Sequence, residues 1–342
     1  NYLDGVMLIY AAPDLQQNGF NDYENLWAYC YWIQQQATTE IIPNVYFWAS
    51  YDFMYGYTNA TQNTGHLFYN GDTSHCSLDA HTYIHEMGHV FGLDDYYDYS
   101  DNDYVPAGGF SMQDYNVGGH DPFSVLAFGW ADAYIPTGSC TLTIQSFQDN
   151  RDLILLTPEF NVYKSPFDEY ILLELYTPTG LNEFDTKNTY QGTYPSGLDG
   201  VGLRVWHVDA RLAQAISTNI FSLAVTSNVL QGNITHAFTN TYYDANVDED
   251  YLSVLGSKYY NFNLLQLIRN DTAATYRPTS SITNDDLFYE NDTFSLAKFK
   301  NQFVNSSKLN KGVDLGWSFS IEKIYQNDEG RYYAEISLTK AA

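Results

Sequence analysis

The second half of the chain shows the alternation of apolar and polar residues that is typical of β-strands. Residues 317–321 and 334–338 alternate cleanly near the C-terminus, as strands of a half-buried antiparallel sheet do. Further strands are predicted at residues 141–147, 153–156 and 170–175. The pattern changes to strands just beyond Pro136, so we expect a β-rich region from there to the end.

The first part of the chain mixes strand and helix patterns. Short apolar runs predict buried strands at residues 6–10 and 45–49, and residues 66–69 are expected to form an edge strand. Apolar residues at helical spacing predict a helix over residues 22–36. Asp121 and Pro122 provide a cap and a first turn for a helix that ends at Gly129.

A chain of 342 residues can bury a sizeable core and is expected to form two domains. We predict an α+β fold, in which residues 1–135 form a mixed sheet with helices. Residues 136–342 are predicted to form a β-rich, largely antiparallel domain that packs on the first domain or completes it.

The charge balance excludes several classes of partner. There are 15 lysines and arginines against 41 aspartates and glutamates, a formal net charge of −26. Nucleic acid and anionic membrane surfaces should repel such a chain. No apolar run approaches the roughly 20 residues of a membrane span, so we expect no membrane insertion. We expect a monomer, and the opening at Asn1 without a signal peptide favours a processed or truncated chain.

The run from His85 to Asp95 carries the strongest chemical pattern. His85 and His89 lie four residues apart, so both imidazoles can reach one zinc ion from one helix face. Glu86 stands beside the first ligand, where its carboxylate can accept a proton from a zinc-activated water. Gly92 permits a tight turn that returns Asp95 as a third ligand. Three protein ligands with one open position are typical of catalytic zinc.

The alternative is a surface helix that carries two histidines and a glutamate by chance. The extension to Gly92 and Asp95 argues against it, as do the apolar residues around the turn. Asp79 is expected to cap this helix, which should run to Phe91. Gly88 weakens a helix by about 1 kcal/mol relative to alanine, so we expect close packing against it.

These residues, with a methionine-containing turn around Met112, resemble the metzincin zinc peptidases. More narrowly, they resemble the immune inhibitor A family of secreted bacterial metallopeptidases. The matching segments are residues 85–98, 112–116, 120–124, 128–130 and 202–209. The resemblance implies a metzincin-like catalytic domain, an aspartate as third zinc ligand, and Met112 as a structural floor beneath the metal. Asp94 stands where that family more often has proline, which places two adjacent carboxylates at the turn.

Other residues are weaker candidates. Tyr115 follows Met112 on the same turn and is a candidate donor to the developing oxyanion. His207 and Asp209 share one face of a predicted strand, and we favour a buried structural pair over a role in the cleft. Calcium is a candidate ligand of three carboxylates that follow the zinc turn, although a solvated acidic loop explains them about as well: Asp98, Asp101 and Asp103.

The sequence therefore predicts a secreted zinc endopeptidase with protein or peptide substrates. The alternative is a catalytically idle relative that serves as a surface adhesion or glycan-binding module.

Overall fold

A computed structural model describes residues 5–10, 28–32, 45–50, 80–99, 104–159, 165–187, 194–217, 220–224, 234–236, 238–241 and 262–341. Within these ranges strands predominate over helices, and the sheets are partly antiparallel. The predicted mixed α+β class with a β-rich second half is confirmed at this level. The metzincin-like arrangement of the first part stays a prediction.

The elements follow one another in this order. In the first part they are β1 (Val6–Tyr10), β2 (Tyr29–Trp32), β3 (Val45–Ser50), α1 (His81–Phe91), α2 (Pro122–Ala127) and β4 (Ala133–Tyr134). In the second part they are β5 (Cys140–Gln145), α3 (Phe147–Asn150), β6 (Leu153–Leu156), β7 (Glu169–Tyr176), α4 (Glu183–Lys187), β8 (Gly202–Asp209), β9 (Leu212–Ser217), β10 (Ile220–Ala224), β11 (Ile234–His236), β12 (Leu265–Ile268), β13 (Thr293–Phe294), β14 (Trp317–Gln326) and β15 (Tyr332–Lys340). Short 3-10 helices occupy Gly180–Asn182, Asn284–Asp286 and Lys300–Gln302.

The first sheet supports helix α1. Its strand order is β1-β3-β2, with β1 parallel and β2 antiparallel to β3. The contact between sheet and helix is apolar and involves Cys30, Val45, Phe47, Tyr83, Met87 and Val90. The hydroxyl of Tyr83 also donates to the carbonyl of Ser50 over 2.6 Å. One face of α1 is thereby fixed on the sheet.

Two predictions for this region were wrong. A helix was predicted over residues 22–36, but Tyr29–Trp32 form strand β2. Within that range the structure describes residues 28–32 alone. Cys30 packs toward α1, whereas Tyr29, Tyr31 and Trp32 are exposed. Aromatic residues favour the pleated surface of a strand.

Strand β1 forms as predicted, but its central residues, Met7, Leu8 and Ile9, are 45–49 % exposed and not buried. Residues 66–69 lie outside the described ranges.

The largest sheet among the described residues is buried on both faces along its central strands. It has five strands in the order β12-β8-β7-β6-β4, antiparallel except between β4 and β6. Every residue of β7 is buried, and successive side chains enter different cores. Tyr170 and Leu172 face the part of the chain that contains α2, whereas Ile171 and Leu173 face a four-stranded sheet, β13-β14-β15-β5. A further three-stranded sheet has the order β10-β9-β11.

The first of these cores joins the two predicted domains. Phe110 and Phe123, from the first part, pack in one cluster with Leu172 and Trp206 from the second. The five-stranded sheet therefore lies directly against the segment that follows α1. The division at residue 136 stays a prediction.

None of the described helices has the length and apolar character needed to cross a membrane.

Candidate metal centre

Helix α1 and the turn at its end present the predicted ligands. The helix begins after Ala80, which makes no side-chain cap, and the predicted cap Asp79 lies outside the described residues. At the other end Gly92 has a φ of 100°, a left-handed conformation that favours glycine. The N–H of Gly92 donates to the carbonyl of His89, and the N–H of Leu93 donates to the carbonyl of Gly88. This pair of hydrogen bonds reverses a chain at the end of a helix.

The reversal brings three ligand atoms together. The Nε2 atoms of His85 and His89 lie 3.1 Å apart. Oδ1 of Asp95 lies 2.9 Å from the first and 3.2 Å from the second. Zinc bound tetrahedrally at 2.0–2.1 Å separates its ligands by about 3.3 Å. Among the described residues these three form the group that could hold a metal ion, and Asp94 is not part of it.

Backbone carbonyls orient both imidazoles. Nδ1 of His85 donates to the carbonyl of Met112 over 2.8 Å, and Nδ1 of His89 donates to the carbonyl of Leu93 over 2.8 Å. A carbonyl only accepts, so each Nδ1 carries the hydrogen. When it is neutral, each ring therefore turns the lone pair of Nε2 toward the shared centre, which is how a metal-binding histidine is oriented.

The charges of the group are strongly coupled. Burial by itself would raise the pKa of Asp95, but the adjacent imidazoles of His85 and His89 outweigh it and hold that pKa well below its usual range. Burial by itself would lower the pKa of His89, but the carboxylate of Asp95 outweighs it and raises the pKa to about 9. A proton bound between these groups occupies the place that a cation would take.

The unpaired atoms of the centre fit a cation and a water molecule. Oε2 of Glu86 is buried and accepts no hydrogen bond from a described residue, and Oδ1 of Asp95 is buried against the Nε2 atoms of His85 and His89. Glu86 is only 6 % exposed, and burial raises the pKa of its carboxyl. Unpaired buried carboxylate oxygens are costly unless a ligand satisfies them. Two imidazole nitrogens and one carboxylate oxygen are a donor set that zinc accepts.

The turn that contains Met112 lies against α1. Met112 is buried, and its N–H donates to the carbonyl of Gly119 over 3.1 Å. Its neighbour Gln113 accepts from the N–H of Tyr96, the residue after Asp95. A β-carbon at Gly88 would lie 2.2 Å from Oε1 of Gln113, which is the close packing that the glycine predicts. The turn thus supports both the helix and the segment that carries Asp95.

The five-stranded sheet holds this turn in place. The guanidinium of Arg204 donates to the carbonyl of Phe110 over 3.3 Å and to Glu174 over 2.6 Å. Asp185 of α4 accepts from the N–H of Gly118 and contacts Nε2 of His81 at 3.0 Å. Residues far along the chain therefore position the metal ligands.

A row of aromatic rings leads away from the ligands. The ring of Tyr97 lies 6.5 Å from that of His85, Tyr115 lies 6.4 Å from Tyr97, and Tyr194 stacks on Tyr115 at 5.4 Å. Tyr97 is thus nearer to the ligands than Tyr115, the tyrosine that the sequence suggested. The role of Tyr115 as an oxyanion donor stays a prediction.

Sequence reasoning did not single out Tyr99, whose hydroxyl donates to Oδ2 of Asp95. In a chain with 32 tyrosines no sequence signal distinguishes it. His207 lies outside the centre and pairs with Glu169 at 2.9 Å, while Asp209 pairs with Arg211 at 2.7 Å. Both are therefore in buried structural pairs, although not with each other.

The predicted calcium ligands are only partly described. Asp98 is partly buried, and Asp101 and Asp103 lie outside the described residues. The calcium site stays a prediction.

Comparison of the chain with protein-family models, curated proteins and solved structures found no match. The resemblance to immune inhibitor A therefore rests on the sequence motifs, and the geometry of the centre carries the functional argument.

Proposed function

We propose that the chain is a secreted zinc-dependent endopeptidase of the metzincin type that hydrolyses proteins or peptides. The observation that carries this proposal is the convergence of His85, His89 and Asp95 beside the buried carboxylate of Glu86, whose Oε2 has no hydrogen-bond partner among the described residues. A structural metal site needs no such carboxylate. A hydrolytic site needs one, to accept a proton from water.

His85, His89 and Asp95 would hold the metal. Zinc supplies Lewis acidity there, toward a peptide carbonyl and toward water. Asp95 contributes negative charge, so this acidity should be slightly weaker than with three neutral histidines. The turn of Met112 keeps His85 in place through its carbonyl.

Glu86 has the properties of a general base that then acts as an acid. Burial raises the pKa of its carboxyl toward the working range of proton transfer, while the nearby histidines oppose the shift. Glu86 takes a proton from the attacking water and passes it to the leaving amine. Tyr115 is proposed to donate to the carbonyl oxygen as negative charge develops on it.

The rival function is a catalytically idle adhesion or glycan-binding module. An exposed aromatic face on β2 and β3 favours it, because such faces stack on sugar rings. Ring centroids there lie 5.4–6.3 Å apart, and the residues are Tyr29, Tyr31, Tyr46 and Trp48. This rival does not explain the buried carboxylate of Glu86.

Casein hydrolysis by Glu86→Ala tests the proposal. The variant should keep its fold and its zinc, since Glu86 is beside the ligands and not among them, and should lose about 10²–10⁴-fold in rate. The matched control is Glu329→Ala, whose exposed carboxylate lies on the β14–β15 turn. A chelator should abolish wild-type activity and zinc should restore it. Undiminished turnover in Glu86→Ala, or a wild type that cleaves nothing with zinc bound, would overturn the proposal.

A further inference from the structure

We propose that Tyr99 is a positioning residue for the metal centre, where its hydroxyl holds Asp95 so that one carboxylate oxygen faces the two histidines. The inference rests on the proposed metal site and deepens it.

The two oxygens of Asp95 have separate partners. Oδ2 accepts from the hydroxyl of Tyr99, whereas Oδ1 faces Nε2 of His85 and of His89. A carboxylate can rotate about its last bond and present either oxygen, or both, to a cation. The hydroxyl removes that freedom, because rotation would break its bond to Oδ2. Asp95 is 8 % exposed, so little water is at hand to replace a lost donor.

The hydroxyl is itself held in place. The backbone N–H of Tyr99 donates to the carbonyl of Thr241 over 3.0 Å. Its ring lies 5.2 Å from that of Tyr97, and the two side chains share a hydrogen bond. Tyr97 in turn lies beside the imidazole of His85. The Asp95 carboxylate is therefore connected through two tyrosines back to the first metal ligand.

The ring of Tyr99 contributes little to the core, since the residue is 52 % exposed. Replacing it with phenylalanine should leave folding intact and remove only the hydroxyl. Residues that orient metal ligands are typically worth about 10–100-fold in metal affinity. The expected effect of Tyr99→Phe is thus a loss of zinc affinity in a chain that keeps its fold, with a modest loss of metal-free stability because Oδ2 of Asp95 loses its donor.

The test is the zinc dissociation constant of full-length Tyr99→Phe, measured by competition with a chromogenic chelator. We expect it to rise 10–100-fold, while the metal-free chain still unfolds cooperatively at a melting temperature only modestly below the wild-type value. The control is Tyr134→Phe, which removes a hydroxyl from an equally exposed tyrosine on β4 and should bind zinc as wild type does. Cobalt substitution adds a spectroscopic readout, because the visible bands of the Tyr99→Phe complex should shift if Asp95 changes its mode of binding.

The outcomes separate the two proposals. If the wild type binds zinc and Tyr99→Phe binds it within twofold as tightly with an unchanged cobalt spectrum, the role of Tyr99 is overturned and the zinc site stands. If the wild type binds no zinc, both are overturned.

Discussion

The contact between Gly88 and the turn below it makes a substitution of this glycine informative. In Gly88→Ala the new β-carbon would lie 2.2 Å from Oε1, 2.7 Å from Cδ and 3.0 Å from Nε2 of Gln113. Real β-carbons do not approach other atoms so closely, so Gln113 must move. Gln113 is fully buried, and its amide has no hydrogen-bond partner among the described residues.

Two opposed terms set the expected change in stability. Alanine favours a helix over glycine by about 1 kcal/mol. Forcing atoms into a packed interior costs about 1–3 kcal/mol. We therefore expect Gly88→Ala to lower the free energy of unfolding by on the order of 1 kcal/mol. Zinc affinity should fall as well, because a shift of Gln113 would disturb both sides of the site. The carbonyl of Gln113 accepts from the N–H of Tyr96, and Gln113 adjoins Met112, whose carbonyl orients His85.

Urea denaturation of the metal-free chain measures the first effect, and a double-mutant cycle with Gln113→Ala isolates the contact. The cost of Gly88→Ala should shrink by about 1–3 kcal/mol in the Gln113→Ala background, because the two residues touch. The control is Gly138→Ala, where a new β-carbon meets nothing within 4 Å. If Gly88→Ala instead stabilises the chain by the helix term alone, the close contact is refuted.

Four further predictions concern the metal centre and its surroundings. Asp95→Ala should lose far more zinc affinity in a metal titration than Asp94→Ala, and the reverse would place the ligand one residue earlier. Because the pKa of His89 in the metal-free chain is about 9, zinc must displace a proton from His89 below that pH. In metal titrations, the zinc affinity should therefore rise about tenfold per pH unit from 6.5 to 9 and then level off. The same raised pKa stabilises the metal-free chain below the unfolded value of about 6.5, and this stability should be lost as the pH rises through 9, as melting temperatures at fixed salt will show. If the carboxylates near Asp98 bind calcium, calcium should stabilise the chain at saturating zinc by about 2.7 kcal/mol at a hundredfold excess over its dissociation constant, which a higher melting temperature would show. An equal response to magnesium would indicate general screening of an acidic surface.

The sequence predicted those parts of the structure that depend on local chemistry. Helix α1 ends at Gly92 because only a left-handed residue reverses the chain there. Helix α2 begins at Pro122, and the side chain of Asp121 caps it by accepting from the N–H of Ser124. Strands β14 and β15 follow their alternating patterns. In each case the deciding interaction lies within a few residues.

The remainder depends on contacts between distant residues. Strand β2 was mistaken for helix because Leu26, Cys30 and Ile33 have helical spacing, while its pairing with β3 is not visible locally. The apolar residues of β1 gave no indication that they would be exposed. Tyr99 could not be chosen among the many tyrosines, because its proposed role depends on the contact of its hydroxyl with Asp95, which the sequence does not show.

The bond from Arg204 to the carbonyl of Phe110 has a consequence for the order of events during synthesis. All three candidate ligands have been synthesised once Asp95 is translated, but the residue that anchors the supporting turn follows 109 positions later. At 5–20 residues per second this interval lasts roughly 5–20 s. The nascent chain then carries its ligands without the support that orients them. The proposed peptidase would therefore gain its activity only after most of its own polypeptide has been made.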